Sequence, residues 1–361
     1  MVRTIGTASY GLRAPIVKQG DDLVQIVVDT VLNSGLEIKD RDVLGITESI
    51  VARCEGNYVT IDEVAEEIKN ISDNAENIHV FRPIYSRNRF AMILKAIARA
   101  AGKYVVIHVT EKDEVGNVLR NHPFTGLNYD EYYKSIVEAE GKECTIAHDG
   151  DITIETGSSY LIDARMYFTT SNEEEIKELK NNNSGYCTLA YICRDKCDYG
   201  LYGSNKASEE MLKLFPSKQY AQNLVEKVQE KIYTETGKKI EVMCYGDGCY
   251  KDPDSGIWEF ADGTVSPAYT PGLEGTPNEI KIKNFADDKY KDLRGEELSL
   301  AIKDEINSSK MDLKGNMSSQ GTTPRRYINL LGSLMDLTSG SGSKGTPFVY
   351  IQGYFDSFAD E

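Results

Sequence analysis

Hydrophobic positions recur along this chain with two periods, one near 3.6 residues and one near 2, and the two alternate from end to end. Leu23-Val-Gln-Ile-Val-Val-Asp-Thr-Val-Leu32 has the helical spacing. The turn Gly20-Asp-Asp22 offers it an N-cap, and Gly35 can end it. Val43-Leu-Gly-Ile46 is an unbroken apolar run, the pattern of a buried strand. The first sixty residues therefore read as strand, helix, strand, and Thr60-Ile-Asp-Glu63 reads as a capping box opening the next helix. Phe90 to Ala101 is again helical, and Tyr104 to Val109 is a strong strand. Glu209 to Thr236 contains a helical stretch, followed by the strand Ile240 to Cys244. Leu293 to Ile306 is helical, as is the run Leu330, Leu331, Leu334, Met335, Leu337, which precedes a short strand, Phe348 to Gln352. Residues 171–182 are acidic and polar and read as a solvated helix; Asn181-Asn-Asn-Ser-Gly185 then makes a turn. Residues 246–279 are dense in Gly, Pro and Asp with little periodicity, and long irregular segments of this kind are often functional. The alternation predicts a mixed α/β architecture of the α+β class, without fixing the order of strands.

Composition narrows the function classes. The 361 residues allow two domains or one large interlocked fold. A net charge of -16 argues against a nucleic-acid surface built on bulk electrostatics, while leaving room for a local cationic pocket that takes a nucleotide. No apolar run approaches the roughly 18 residues of a membrane span. The start, Met-Val-Arg-Thr-Ile-Gly-Thr, has no secretory apolar region, so a cytoplasmic location is expected. Seven cysteines at irregular spacings read as reduced structural thiols, with a zinc site as the lesser alternative.

Four polar clusters are candidates for chemistry. The first is Ser339-Gly-Ser-Gly-Ser-Lys-Gly-Thr-Pro347, which exposes backbone amides and one cation together. It suits a phosphate chain; the alternative is a flexible connection. Its order is helix, loop, strand, the reverse of a Walker loop, so the adjacent helix presents its negative end. Any phosphate held there is expected to rely on loop amides and Lys344. The second is Lys112-Asp-Glu-Val-Gly-Asn117, just past a strand, where carboxylates can hold a hard cation or simply form a turn. The third is Tyr245-Gly-Asp-Gly-Cys-Tyr-Lys-Asp-Pro-Asp254, in which Asp247 sits between two glycines that permit close approach to a ligand. The fourth is basic: Arg82, Arg87 and Arg89, with Arg325 and Arg326 a comparable pair. These guanidiniums can bind carboxylates or phosphates, or serve as internal ion-pair partners. No G-x-S-x-G, H-E-x-x-H or Cys/His nucleophile motif is evident.

With these segments placed, the chain resembles the coenzyme F420-0:L-glutamate ligases, or gamma-glutamyl ligases. Ala14-Pro-Ile-Val-Lys-Gln-Gly-Asp-Asp-Leu23 is similar to that family's P-x-I-x-x-G-D-D-L. Gly35 to Leu44 resembles its G-L-x-x-x-D-G-D-V-L, and Thr47 to Gly56 its S-x-V-V-S-K-A-E-G. The tail loop through Pro347 matches the segment before the family's last strand. Roughly the first sixty and last forty residues carry the likeness, with weaker islands between them. The resemblance implies a ligase-like mixed α/β fold with an enlarged middle. By it, residues 1–165 form an N-terminal region with nucleotide and metal contacts, 166–235 a helical inserted or connecting region, and 236–361 a C-terminal region with the second metal segment and the phosphate loop. It also implies a GTP-dependent acid–amino-acid ligase that joins L-glutamate through a gamma-linked amide to a carboxylated acceptor. The acceptor is coenzyme F420-0 or, alternatively, a folate; a protein of this fold that binds nucleotide without ligating is a further alternative.

Carried over residue by residue, the resemblance assigns nucleotide contacts to Ala14, Pro15, Ile16, Val17, Glu48, Ser49, Arg53 and Asn117. To these it adds Ser339, Gly340, Ser341, Gly342, Ser343, Lys344, Gly345 and Thr346. It assigns Mg²⁺ or Mn²⁺ to Asp113, Glu114 and Asp247, and a homodimer to the assembly. Asp247, Glu114 and Lys344 would carry the chemistry, and Arg87 or Arg89 would meet the acceptor or the incoming glutamate. The chain departs from the pattern at four places: Arg53 replaces a Lys, Glu114 an Asp, Gly248 a metal-contacting Thr, and Ser341 an acidic or amide ligand. One metal site is expected on these grounds, and a second is not assured.

Overall fold

The computed structural model describes residues 4–82, 87–109, 120–121, 126–148, 159–164, 185–247, 250–251, 258–259, 264–276, 281–308, 326–340 and 342–360. Two compact units emerge: residues 1–54 with 218–361, and residues 55–217. The divisions expected at 165 and 235 follow linear order; the units instead follow strand pairing, which ties the two ends of the chain together.

The first unit is built on a mixed five-stranded sheet, ordered β1 (Ala8–Leu12), β15 (Phe348–Gln352), β2 (Val43–Thr47), β11 (Glu241–Asp247), β14 (Thr264–Tyr269). β2 and β11 are parallel, and the other pairings are antiparallel. Alternation along the central strands divides the core. Leu44, Ile46, Val242, Cys244, Phe348 and Tyr350 face one side, packed with α1 (Leu23–Leu32), α2 (Glu48–Glu55) and α6 (Lys218–Thr236). Val43, Met243, Tyr245, Val349 and Ile351 face the other, against Leu331 and Met335 of α8 (Tyr327–Ser339). Gly45 is the close-approach point: a Cβ there would lie 2.2 Å from the Met335 sulfur. α1 starts and stops as the sequence predicts, with the Asp22 carboxylate accepting from Gln25 N at 3.0 Å. α2 was not anticipated. It is a run of only eight residues directly after β2, with Val51, Ala52 and Cys54 on its buried face, and a helix that short is marginal without packing. The unit also holds α7 (Gly295–Ser308) and a pairing of two short strands, β12 (Tyr250–Lys251) with β13 (Trp258–Glu259).

The second unit carries an all-parallel sheet, ordered β6 (Glu143–His148), β5 (Tyr104–Val109), β4 (Asn77–Phe81), β7 (Ser159–Asp163), β8 (Gly185–Thr188). Its chain runs outward from β4 through α4 (Arg87–Ala100) to β5 and through α5 (Tyr129–Ala139) to β6, then returns to the other side of β4. That reversal is the hallmark of a doubly wound sheet. A smaller antiparallel sheet joins β3 (Tyr58–Thr60), β10 (Met211–Leu214) and β9 (Ser204–Ser208). The predicted capping box is present at α3 (Ile61–Ile71): Thr60 Oγ1 accepts from Glu63 N at 3.1 Å, and the Glu63 carboxylate accepts from Thr60 N at 2.7 Å. The helix predicted over 171–182 lies outside the described residues. Among the described residues no helix is long and apolar enough to cross a membrane.

Candidate functional site

The strand directions of the first unit bring one set of ends to one edge of its sheet. β1, β2 and β11 all run toward that edge, finishing at Leu12, Thr47 and Asp247, while β15 starts there at Phe348. Register fixes the neighbours: Leu12 opposes Phe348, Phe348 opposes Ile46, and Thr47 opposes Tyr245, two residues before Asp247. The segments Ala14–Val17, Glu48–Ser49, Asp247 and the Ser339–Pro347 loop, scattered through the sequence, thus meet at a single edge.

Hydrogen bonds strap the loop to its neighbours. Ala14 N donates to Gly345 O at 3.2 Å, and Thr47 N donates to Pro347 O at 3.0 Å. Inside the loop, Thr346 Oγ1 donates to Ser339 O at 2.9 Å, and Gly345 N to Gly342 O at 3.3 Å. These bonds disfavour the reading of a loose connection. Gly340 ends α8 with φ +61°, a conformation that L side chains rarely adopt. The Lys344 side chain lies along its bare Cα, and a Cβ on Gly340 would come within 2.8 Å of Nζ. Gly342, Ser343, Lys344 and Gly345 are exposed, so the loop offers its cation to solvent at the sheet edge.

One expectation changes here. The loop order left any phosphate without a helix N-terminus, yet α2 begins at Glu48, directly after β2 and beside the strapped loop. Its first-turn amides bring the positive end of a helix dipole to the same edge. Glu48 is buried, and Ser49 and Arg53 are exposed on that helix. Ile16 is 83 % exposed, an apolar side chain left uncovered beside polar loop amides. The signal that could have revealed α2 was Glu at the head of Glu-Ser-Ile-Val-Ala-Arg-Cys-Glu, a residue type favoured where a helix N-terminus follows a strand.

Other predicted residues fall elsewhere. Asp113, Glu114, Asn117 and Ser341 lie outside the described residues. Arg87 heads α4 of the second unit. Arg89, on the same helix, donates through Nη1 to Tyr202 O and, at 3.3 Å, to Ser204 O, which gives it a structural role within that unit. Arg326 pairs with Glu274 at 3.3 Å and donates to the Tyr269 hydroxyl at 2.8 Å, an internal partner of the kind the sequence left open. Cys54, Cys144, Cys187, Cys193, Cys197 and Cys244 are free thiols. Burial pushes Cys144 up to about 11 and Cys187 up to about 12, so both are protonated and unreactive at neutral pH. Among the described residues no three His, Cys, Asp or Glu side chains cluster as a metal site. The donors named by the resemblance are carboxylates, whose hard oxygens suit Mg²⁺ or Mn²⁺. Of these, the structure sets the Asp247 backbone at the working edge.

The mixed sheet, with a glycine- and serine-rich loop, a lysine, a helix N-terminus and a strand-end aspartate at one end of its strands, defines the class: a mixed α/β protein. The chain belongs to the F420-0:Gamma-glutamyl ligase family, whose sequence model matches residues 11–353. Two curated relatives match a short stretch. One is an uncharacterized protein of Methanocaldococcus jannaschii, 31 % identical over 51 residues, covering 14 % of this chain and 18 % of the relative. The other is the coenzyme F420:L-glutamate ligase of Methanothermobacter thermautotrophicus, 32 % identical over 50 residues, covering 14 % of this chain and 20 % of the relative. The matched stretches thus span about a fifth of these relatives' own length.

Proposed function

We propose that this protein is a GTP- and metal-dependent amide ligase that adds L-glutamate, through its amino group, to a carboxylated acceptor of the coenzyme F420-0 type. The observation that carries the reading is the convergence of Ala14–Val17, Thr47–Ser49, Asp247 and the Ser339–Thr346 loop at one sheet edge. Membership of a gamma-glutamyl ligase family supports it independently. Carboxylates do not form amides unaided, because hydroxide is a poor leaving group. Phosphoryl transfer from the nucleotide to the acceptor carboxylate gives an acyl phosphate; attack by the glutamate amine then forms the amide and expels phosphate. Such a sequence asks for positioning and charge neutralisation more than for a protein nucleophile. That fits a chain with no nucleophile motif.

In this scheme the amides of the loop and of the α2 N-terminus, with Lys344, hold the phosphate chain. Ile16 packs against the base or ribose, and Arg53 adds positive charge. Asp247, Asp113 and Glu114 are the carboxylates that the family pattern assigns to Mg²⁺ or Mn²⁺; a bound cation would neutralise charge on the phosphates. Arg89 is engaged with backbone carbonyls of its own unit, and Arg87 keeps the role at the acceptor or glutamate that the resemblance assigns it.

The test is phosphate release from GTP and from ATP with Mn²⁺ or Mg²⁺, adding glutamate and a deazaflavin or folate acceptor singly and together. Release that needs glutamate and one acceptor is the expected result, and it names that acceptor. Asp247→Ala should lower the rate on the order of 10²-fold or more, the scale for removing a transition-state charge stabiliser, while leaving the melting temperature unchanged. Nucleotide binding without turnover under every combination would overturn the ligase reading in favour of a binding protein.

A further inference from the structure

The second unit contains a pocket that the ligase reading does not use. Helices α4 and α5 form its two long walls, and the turn joining β9 to β10 closes one side. On α5, Tyr132, Ile136 and Ala139 recur at helical spacing and make one stripe. Ala91 and Met92 of α4 line the same space. Met92 and Ile136 give it an apolar floor, Tyr132 supplies an aromatic wall, and the two alanines leave the room. The cavity measures about 240 Å³, just under the roughly 300 Å³ at which pockets begin to take drug-sized ligands. A smaller molecule is what it fits.

Four charged side chains stand around this floor, two of each sign. Lys95 and Glu140 are committed. Lys95 is bound to the Glu210 carboxylate and lies 3.9 Å from Glu140, which accepts from Arg99 Nε at 2.9 Å and Nη2 at 3.3 Å. Arg99 also meets Asp62 and Glu210, at 2.8 Å each. Among the described residues the Lys206 and Glu209 side chains are bound only to each other, at 2.5 Å, and they are 37 % and 84 % exposed. An exposed pair of this kind contributes little, so it opens readily. The whole network sets three cations, Lys95, Arg99 and Lys206, against four carboxylates, so nothing in it draws a simple anion.

An ion pair that opens above an apolar floor is matched by a molecule that carries both charges itself, with an apolar body below them. A lone acid or a lone amine would leave one end of the opened pair without its partner. An α-amino acid meets both ends: its carboxylate takes Lys206, its ammonium takes Glu209, and its side chain reaches the floor. We propose that this pocket binds one free α-amino acid with an apolar side chain. The site shares no residue with the sheet edge of the first unit and does not depend on the ligase assignment. It also differs in chemistry from a site for L-glutamate, whose second carboxylate would be pressed against Met92 and Ile136 at a desolvation cost.

The experiment is a proton NMR saturation-transfer titration of the full chain, without nucleotide, using L-leucine, L-methionine and L-phenylalanine in turn. Saturable binding of at least one is expected, with L-glutamate unable to displace it. For that amino acid, Lys206→Gln and Glu209→Gln should each weaken binding roughly tenfold or more. Ala139→Leu, which fills the pocket from an exposed position, should abolish it. The amide and the deaminated acid of the same amino acid should both bind more weakly, since each leaves one charge unmet. No saturation by any of the three below about 10 mM, displacement by L-glutamate, or unchanged affinity in the two charge variants would overturn the proposal. An amide that binds as tightly as the amino acid would do so too, because the pocket would then read only an amine. The three substituted side chains lie at the surface, so the variants should melt with the wild type.

Discussion

The two units solve different problems with sheets of equal strand number. In the second unit, consecutive strand–helix steps lay down parallel neighbours, and its arginines are matched with carboxylates. Arg82 meets Asp130, and Arg99 reaches Glu140 at 2.9 Å, Asp62 at 2.8 Å and Glu210 at 2.8 Å. These hydrogen bonds raise the Arg99 pKa further and lower that of Glu210. In the first unit the sheet is mixed, and its ladder is closed by strands from both ends of the chain. Its working edge is made of main-chain amides, glycines and one lysine. The difference teaches how each edge is assembled. A parallel sheet collects all its carboxyl ends at one edge from successive segments. A mixed sheet also turns strand beginnings toward that edge, so a loop before β15 can be strapped between the residues after β1 and β2.

The sharpest break of this comparison is expected from the core of the first unit. Leu331 is fully buried beneath the sheet, and Leu331→Ala should cost about 3 kcal/mol through lost burial and a residual cavity. Hydrogen exchange followed strand by strand should show faster exchange in β2, β11 and β15. An equal acceleration in β4 and β5 would mean that the two sheets open as one.

An effect of comparable upper size is expected in the second unit, and it depends on pH. His79 Nδ1 and His108 Nε2 are 3.0 Å apart, with both rings buried on neighbouring strands. Burial pushes His79 down from 6.5 to about 4, so the folded state keeps it neutral while an unfolded chain takes up the proton first. Stability is therefore unaffected above about 6.5 and falls as pH drops from there toward about 4. The loss amounts to roughly 3 kcal/mol at most, at 1.36 kcal/mol per unit. Urea unfolding of wild type and His79→Gln across this range should show a steeper decline in the wild type; parallel curves would assign the acid sensitivity to other groups.

The smallest effect tests local structure alone. Thr60→Ala removes half of the α3 capping box and should lower stability by about 1 kcal/mol. Its influence should be confined to exchange at the start of α3, and a larger loss would indicate that Thr60 also sustains the pairing of β3 with β10.

Much of the local structure was legible in the residues. The bounds of α1 and β5, the capping box at Thr60, and the helix–loop–strand order of the tail follow from periodicity, capping chemistry and turn residues, all of which act over a few positions. The likeness of the Ala14–Leu23 and Thr47–Gly56 segments to a ligase family was likewise legible, and the match over residues 11–353 bears it out. What the sequence could not express was pairing between distant segments. No local pattern sets Thr47 opposite Tyr245, or straps Gly345 to Ala14 and Pro347 to Thr47, because those hydrogen bonds depend on register across the whole sheet. Nor could it show that α2 forms at the edge, that Arg89 is engaged with carbonyls, or that Arg82, Arg120 and His148 gather on one carboxylate. The sequence by itself determined the elements and the chemical inventory; the tertiary structure decided which of those groups face one another, because direction and register are properties of the folded sheet.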